Sequence, residues 1–395
     1  MAISGAYSGD ERAGGVPACG WKSEHRAAYV AFGRFPAAKG SAVHIAEMTD
    51  ELFTRYDGGL LAVLGGPDLP RYQREPGGRE IARFAEPIPN LLDRAEAFSS
   101  WVAAHLAPHL GTLEVCHVRD PWGALPAVTA PGRRHRVVFE VNGLPSIEMT
   151  HTWPLASPGT PGKVREPERF CLERSDAVVV PSSVIAEAVG RLGVEDRRIH
   201  LVPNGADPVR SPRPGRPAGA PGRYVIYVKA VQPWQGVDVL LRAFARLADL
   251  PDLRLVVCSS VPERRCKPLR RLAERLGVDE RVDWMYTLPH AEVAAWLAHA
   301  GLPSFYDGMP NVALEAAALG VPLLASDAGG LADVADEEIG FVFPAGDAHA
   351  CRAARASAEE LAKRGAAGEE RIRRDFTPAA ETAGYLRVLA ESGAA

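Results

Sequence analysis

Leu302 to Asp347 reads LPSFYDGMPNVALEAAALGVPLLASDAGGLADVADEEIGFVFPAGD. An apolar strand, Leu302–Phe305, ends in a Gly/Pro loop, and a helix opens at Pro310–Asn311, where the missing proline N–H costs nothing. Asp307 stands before that helix, and Glu315 follows eight positions later inside it. A further strand, Pro322–Ala325, then runs on toward Gly329-Gly330. The amides of Asn311, Val312 and Ala313 would have no intrahelical partner. Free amides at the positive end of a helix attract phosphate oxygens. Glu315, about one turn in, can accept hydrogen bonds from both hydroxyls of a ribose. Asp307 can reach a sugar hydroxyl or stabilise positive charge developing at an anomeric carbon. Either acid alone could be an ordinary charge at a helix start. The ordered set Asp307-Gly308, Pro310-Asn311, Glu315-Ala316, Gly320-x-Pro322 and Gly329-Gly330 points instead to a grip on a molecule bearing both a diphosphate and a diol.

Outward from this stretch, short apolar runs alternate with amphipathic helical segments along the whole chain. In the first half the runs are Ala28–Phe32, Leu60–Leu64, Val115–Val118, Val137–Val141, Ala177–Val180 and Ile199–Val202. In the second half they are Tyr224–Val228, Leu253–Val257, Val282–Met285, Leu302–Phe305, Pro322–Ala325 and Gly340–Phe343. Runs of this length without polar alternation suit strands buried on both faces of a parallel sheet, with helices as crossovers. The segment 207–223 (DPVRSPRPGRPAGAPGR) has no apolar period and reads as a linker. The expected architecture is α/β: two Rossmann-like, doubly wound parallel-sheet domains facing a central crevice, where such folds bind ligands. The expected divisions are a flexible leader (1–25), a first domain (26–206), the linker (207–223), a second domain (224–375) and a C-terminal helix (376–395) packing back on the first domain.

Composition narrows the function. The chain has 395 residues, which suits two domains of ordinary size. Its hydrophobic content of 47% and charged content of 24% are those of a globular protein. A net charge of −4 without a basic stripe argues against nucleic acid. No apolar run reaches the ~18 residues of a membrane span, and the N-terminus lacks the charged start and apolar core of a secretory signal. The cysteines, Cys19, Cys116, Cys171, Cys258, Cys266 and Cys351, form no C-x-x-C pair, so neither zinc nor a disulfide framework is indicated. A cytoplasmic location is the simplest expectation. Abundant Ala and Pro, with Arg far above Lys, suggests a GC-rich bacterial genome.

The stretch 302–347 resembles the donor-binding signature of the retaining glycosyltransferases of family GT4. The likeness runs from about Ala28 to about Leu389 and is strongest over that stretch. The resemblance implies the GT-B architecture, with the nucleotide-sugar donor in the C-terminal domain and the acceptor in the N-terminal one. The family pattern is glutamate, seven residues, glutamate; here Asp307 takes the first place. Carried over, Asp307 contacts the donor sugar and Glu315 the nucleotide ribose. The backbone of Gly308, Met309, Pro310, Asn311 and Val312 contacts sugar and diphosphate.

Tyr224–Val237, YVIYVKAVQPWQGV, resembles the family's first C-terminal strand and the loop after it. The family carries Gly-Arg and then Lys-Gly there, and the two cations neutralise the leaving diphosphate. Here those positions are Ala230 and Gln235. Lys229, one place before the expected Arg, can supply the charge, although strand-end lysines are often simply solvated. Gln235 offers a weaker, neutral hydrogen bond, and Trp234 reads as packing. Gly40 is what remains of the family's Gly-Gly loop near the donor phosphates, and His44 stands where family members often have histidine. Asn142, in VVFEVNGLP, replaces a family histidine near the reacting centre; it can hydrogen-bond a sugar hydroxyl but cannot act as a base, and Asn-Gly is also a common turn. His117 and Arg119 should line the crevice as acceptor contacts, with Trp122 either joining them or packing. Pro203–Asp207 is a hinge candidate.

The resulting expectation is a retaining, metal-independent glycosyltransferase moving a sugar from a nucleoside-diphosphate donor to a small soluble acceptor. Asp307, Lys229 and Asn142 are its catalytic candidates. No cofactor and no metal are expected, since no D-x-D and no ligand-spaced His/Asp/Glu cluster occurs. Nucleic acid and membrane insertion are not expected, a homodimer is left open, and a role in specialised-metabolite (antibiotic) biosynthesis suits the composition. Two competing readings stay open. One is a non-catalytic sugar-nucleotide-binding partner of another transferase. The other is a GT-B epimerase or hydrolase of sugar nucleotides.

Overall fold

The computed structural model describes residues 24–37, 40–152, 157, 159–207, 214–229, 231, 235–259, 261–286, 288–300, 302–305, 311–327, 329–344, 346–347 and 355–391. Lys39, Ala230, Trp234, Asp307, Gly308, Met309 and Pro310 lie outside these residues, as do most of the leader and positions 208–213 of the linker.

The first half runs β1 (Ala27–Arg34), α1 (Gly40–Arg55), β2 (Gly59–Leu64), β3 (Tyr72–Arg74), β4 (Arg79–Phe84), α2 (Leu91–Leu106), β5 (Val115–Val118), α3 (Pro121–Val128), β6 (Arg136–Glu140), α4 (Pro145–Thr152), α5 (Gly159–Arg174), β7 (Ala177–Val180), α6 (Ser183–Arg191) and β8 (Ile199–Leu201). These strands form one sheet in the order β3-β4-β2-β1-β5-β6-β7-β8. The second half runs β9 (Arg223–Val228), α7 (Val237–Ala245), β10 (Leu253–Cys258), α8 (Glu263–Arg275), β11 (Val282–Met285), α9 (His290–Ala298), β12 (Leu302–Phe305), α10 (Asn311–Ala318), β13 (Leu323–Ser326), β14 (Gly340–Phe343), α11 (Ala358–Asp375) and α12 (Pro378–Glu391). Its sheet has the order β11-β10-β9-β12-β13-β14, parallel throughout.

The apolar runs form strands because both of their faces are covered. Along β1, Ala28 and Val30 enter one cluster and Ala27, Tyr29 and Ala31 the opposite one. Along β9, Tyr224, Ile226 and Val228 face one side and Val225 and Tyr227 the other. Each fully covered Leu or Val contributes roughly 1.5–3 kcal/mol relative to exposure. Helix α1 covers its side with Ala42, Ile45, Met48, Leu52 and Phe53, the spacing of a single helical face.

One hairpin escapes the apolar-run reading. Strands β3 and β4 pair antiparallel, and β4 pairs parallel with β2 inside the sheet. The sequence of β4, REIARF, is charged, so it does not read as a buried strand. Its Glu80 and Arg83 side chains nonetheless find partners inside the fold. Glu80 accepts from the Arg74 guanidinium and faces His25 at 2.9 Å. Arg83 donates to the carbonyls of Phe35 and Pro70.

The chain crosses between the halves twice, and the two crossings touch. The amide of Ala206 donates to the carbonyl of Phe376 at 2.8 Å. A Cβ at Gly205 would lie 2.5 Å from the backbone nitrogen of Pro378, so this approach requires glycine. Past the second crossing, α12 lays Tyr385, Val388 and Leu389 into the cluster formed by β1, α1 and β2, and Arg136 of β6 donates to the carbonyl of Leu389.

Candidate active site

In the second sheet β12 lies beside β9, with Leu302 opposite Val225 and Pro303 opposite Ile226. Lys229, one residue past β9, and α10, which follows β12, therefore occupy the same C-terminal edge, where ligands of such sheets bind. Helix α10 begins at Asn311 and buries Ala313, Leu314, Ala316, Ala317 and Ala318. Val312 and Glu315 remain half-exposed on its other side. Burial lowers the Lys229 ammonium to about 8, and the Glu148 carboxylate partly counters that. Gln235 departs from expectation. It is 5% exposed and its Oε1 accepts from the Tyr227 hydroxyl at 2.9 Å, so it packs inward instead of opening to the crevice. Of the two cation positions, only the neighbourhood of Lys229 carries charge among the described residues.

In the first domain the site gathers around Glu140, the last residue of β6. Its Oε2 accepts from the Tyr29 hydroxyl at 3.1 Å and lies 2.8 Å from His117 Nε2. Its Oε1 lies 2.8 Å from His44 Nε2 and 3.0 Å from Arg119 Nε, and accepts from Asn142 Nδ2. Burial alone would raise this carboxyl, but Arg119 and His44 outweigh it and hold Glu140 well below the usual range. Burial lowers His117 below its ordinary value, which keeps it neutral. A neutral His117 facing an ionised Glu140 must carry its proton on Nε2, leaving Nδ1 to accept from the Tyr385 hydroxyl of α12. His44 differs. Burial would lower it, but Glu140 on one side and Glu381 on the other, 3.3 Å from Nδ1, raise it above its ordinary value. With His44 protonated, two buried carboxylates meet two cations and the cluster is neutral as a whole.

These contacts change the expected roles. His117 is fully buried and both ring nitrogens are engaged, so it does not face an acceptor. Arg119 is turned onto Glu140 and onto the Ser41 carbonyl, which fixes the start of α1. Trp122 packs against Phe32. Asn142 remains exposed toward the crevice, and because Glu140 holds its Nδ2, its Oδ1 is the atom left to accept a proton donor. Gly40 opens α1, and an added Cβ there would meet no protein atom within 4 Å. Behind Asn142 a cavity of about 20 Å³ is lined by His44, His117, Glu140, Asn204 and Glu381. That volume suits a molecule the size of water and excludes a sugar.

Sequence reading missed Glu140, Glu381, Tyr385 and Glu148. Glu140 had a signal, a lone carboxylate ending an otherwise apolar strand. Glu381 and Tyr385 had none, because the histidines they meet, His44 and His117, lie more than 200 residues away in the chain. Glu381 also accepts from the amide of Gly205 at 2.6 Å, at the first crossing. Next to it, Asn204 Nδ2 donates to Asn311 Oδ1 at 2.7 Å, joining that crossing to the start of α10. On the same divide, Asp333 accepts from the amide and the hydroxyl of Ser183, capping α6 from the other domain. Among the described residues no group of three or more His, Cys, Asp or Glu is placed to hold a metal ion, and no helix is long and apolar enough to cross a membrane.

Residues 38–210 match the family described as Glycosyltransferase Family 4, and residues 215–374 match Glycosyl transferases group 1. The D-inositol 3-phosphate glycosyltransferase of Corynebacterium glutamicum is 36% identical over 172 residues, covering 39% of this chain and 41% of that protein. The chain spans between two fifths and half the length of the first curated relatives it matches. Sucrose-phosphate synthase from Thermosynechococcus elongatus superposes with a TM-score of 0.77 at 20% identity, covering 93% of this chain and 99% of that one. Anabaena HepE in complex with UDP and glucose gives 0.71 at 15% identity, covering 93% and 100%. At such identities the likeness speaks for the fold alone, and that fold is GT-B.

Proposed function

This chain belongs to the GT4 glycosyltransferases of GT-B fold, and on that premise we propose that it moves a sugar from a nucleoside-diphosphate donor to a small soluble acceptor, with retention of configuration and without a metal ion. The observation that carries the reading is the shared sheet edge of Lys229 and the start of α10. An ammonium and a helix N-terminus on adjacent strands supply the positive field a departing diphosphate needs. Glu315 would hold the ribose hydroxyls and Asp307 the donor sugar. Asn142 Oδ1 would accept the hydrogen bond of the incoming acceptor hydroxyl. Asn142 is no base, so the acceptor proton would pass to the leaving diphosphate on the same face. Glu140, His44 and Arg119 are positioning residues: they fix Asn142 and the start of α1 without touching substrate. A cytoplasmic reaction in a specialised-metabolite pathway is the setting this reading favours.

The test is a thermal-shift screen of UDP, GDP, ADP and dTDP with the corresponding sugars. Assays of nucleotide release with and without candidate acceptors follow. Stabilisation by one nucleotide and acceptor-dependent release are the expected results. Binding without turnover by the purified protein would favour the non-catalytic partner, a reading motivated by the inward packing of Gln235. Release without acceptor, or an altered donor sugar, would favour a hydrolase or an epimerase.

A further inference from the structure

Asn204 stands where the chain first crosses between the halves, and the backbone that carries it is held on the C-terminal side. The Gly205 amide donates to Glu381 at 2.6 Å, and the Ala206 amide donates to the Phe376 carbonyl at 2.8 Å. Gly205 itself lies against Thr377 and Pro378. From this fixed backbone the Asn204 side chain lines the small cavity that also touches His44, Glu140, Asn142 and Glu381. Its Nδ2 donates to Asn311 Oδ1 at 2.7 Å. Asn311 is the first residue of α10, and both asparagines are partly buried. The Asn311 oxygen has two competing uses. A short amide side chain at a helix start accepts readily from the amides of its own first turn. Here the oxygen is taken by a residue of the crossing instead.

We propose that Asn204 is a positioning residue for the donor: by holding Asn311 Oδ1 it keeps that oxygen off the first-turn amides of α10 and leaves them open to the diphosphate of a nucleotide. The inference rests on the reading of α10 as the diphosphate-binding helix. It adds that a residue of the crossing, outside the donor-binding sheet, sets donor affinity. The first amides of a helix have no intrahelical acceptor. A phosphate oxygen and a capping side-chain oxygen therefore compete for the same N–H groups. Without Asn204, Asn311 Oδ1 loses its partner and turns back onto its own helix. A nucleotide must then displace that cap before it binds.

The experiment is isothermal calorimetry on the full chain with whichever of UDP, GDP, ADP and dTDP stabilises the wild type most. Asn204→Ala and Asn204→Leu, the second of which keeps the volume, should each bind it about fivefold to tenfold more weakly. The same substitutions in an Asn311→Ala background should bind no more weakly than Asn311→Ala alone, because no oxygen is left to return to the helix. Asp333→Ala cuts the Ser183 contact across the same divide and should stay within about twofold of the wild type. Wild-type affinity in Asn204→Leu overturns the proposal. A loss that persists in the Asn311→Ala background assigns Asn204 a general packing role and also overturns it. An equal loss in Asp333→Ala assigns the effect to domain contact and does the same. If none of the four nucleotides binds the wild type, the donor reading and this inference fall together; if one binds and Asn204→Leu does not weaken it, only this inference falls.

Discussion

His44 Nε2 lies 2.8 Å from Glu140 Oε1, and its other ring nitrogen lies 3.3 Å from Glu381. One imidazole thus joins the end of β6 to the returning helix α12, in a region largely withdrawn from solvent. The contact makes the first domain and the C-terminal helix a single electrostatic unit.

That unit should make stability depend on pH with a defined sign. His44 is raised above its ordinary 6.5, so its contribution is fully present below 6.5 and is lost as pH rises through the raised value. Glu140 is held well below its ordinary 4.5, so its contribution is present above 4.5 and is lost as pH falls through the depressed value. The two together are fully effective between about 4.5 and 6.5. Urea midpoints across pH should fall above 6.5 in the wild type, and this fall should be smaller in His44→Gln. An unchanged alkaline slope would remove His44 from the account.

Glu140→Ala should cost roughly 3–5 kcal/mol, because Arg119 and His44 would stay buried without their common carboxylate. Chemical denaturation measures this. A loss below ~1 kcal/mol would mean the cluster is replaced by water at little cost.

Lys229→Ala should lower kcat by about a hundredfold and donor affinity by much less, since the charge matters most as the leaving group departs. Burial sets the wild-type ammonium at about 8, so kcat/KM should fall as pH rises through that value, where the free enzyme loses the proton. Lys229→Arg should keep activity at higher pH. An alkaline limb unchanged in Lys229→Arg would move the phosphate role elsewhere.

Glu315→Ala should weaken donor binding by about tenfold to a hundredfold, the worth of charged hydrogen bonds to two hydroxyls. Calorimetric affinity equal to wild type would count against the ribose assignment. Gly205→Ala should destabilise the protein by about 1–3 kcal/mol, because the new methyl meets the backbone of Thr377 and Pro378. A neutral effect on thermal unfolding would show that the two crossings can separate freely.

Much of the fold was legible because buried parallel strands are written as local apolar runs. Val115–Val118, Ala177–Val180, Val282–Met285, Leu302–Phe305 and Gly340–Phe343 form strands with the boundaries read from sequence. The hairpin β3–β4 was not legible, since Glu80 and Arg83 are charged residues whose partners come from distant segments. In the site, the start of α10 at Asn311 was legible from local helix chemistry. Gln235 was not, because the Tyr227 hydroxyl that turns it inward depends on packing.

The sequence by itself determined the two alternating α/β halves, the helix start at Asn311 and the family likeness, all of which rest on neighbours in the chain. Only the tertiary structure decided that His117 and Arg119 serve Glu140 instead of an acceptor, and that Glu381 and Tyr385 are the residues by which α12 joins that cluster. The physical reason is burial. A charge withdrawn from water must find its partner wherever the fold brings one, and Glu381 meets His44 and the Gly205 amide from far along the chain.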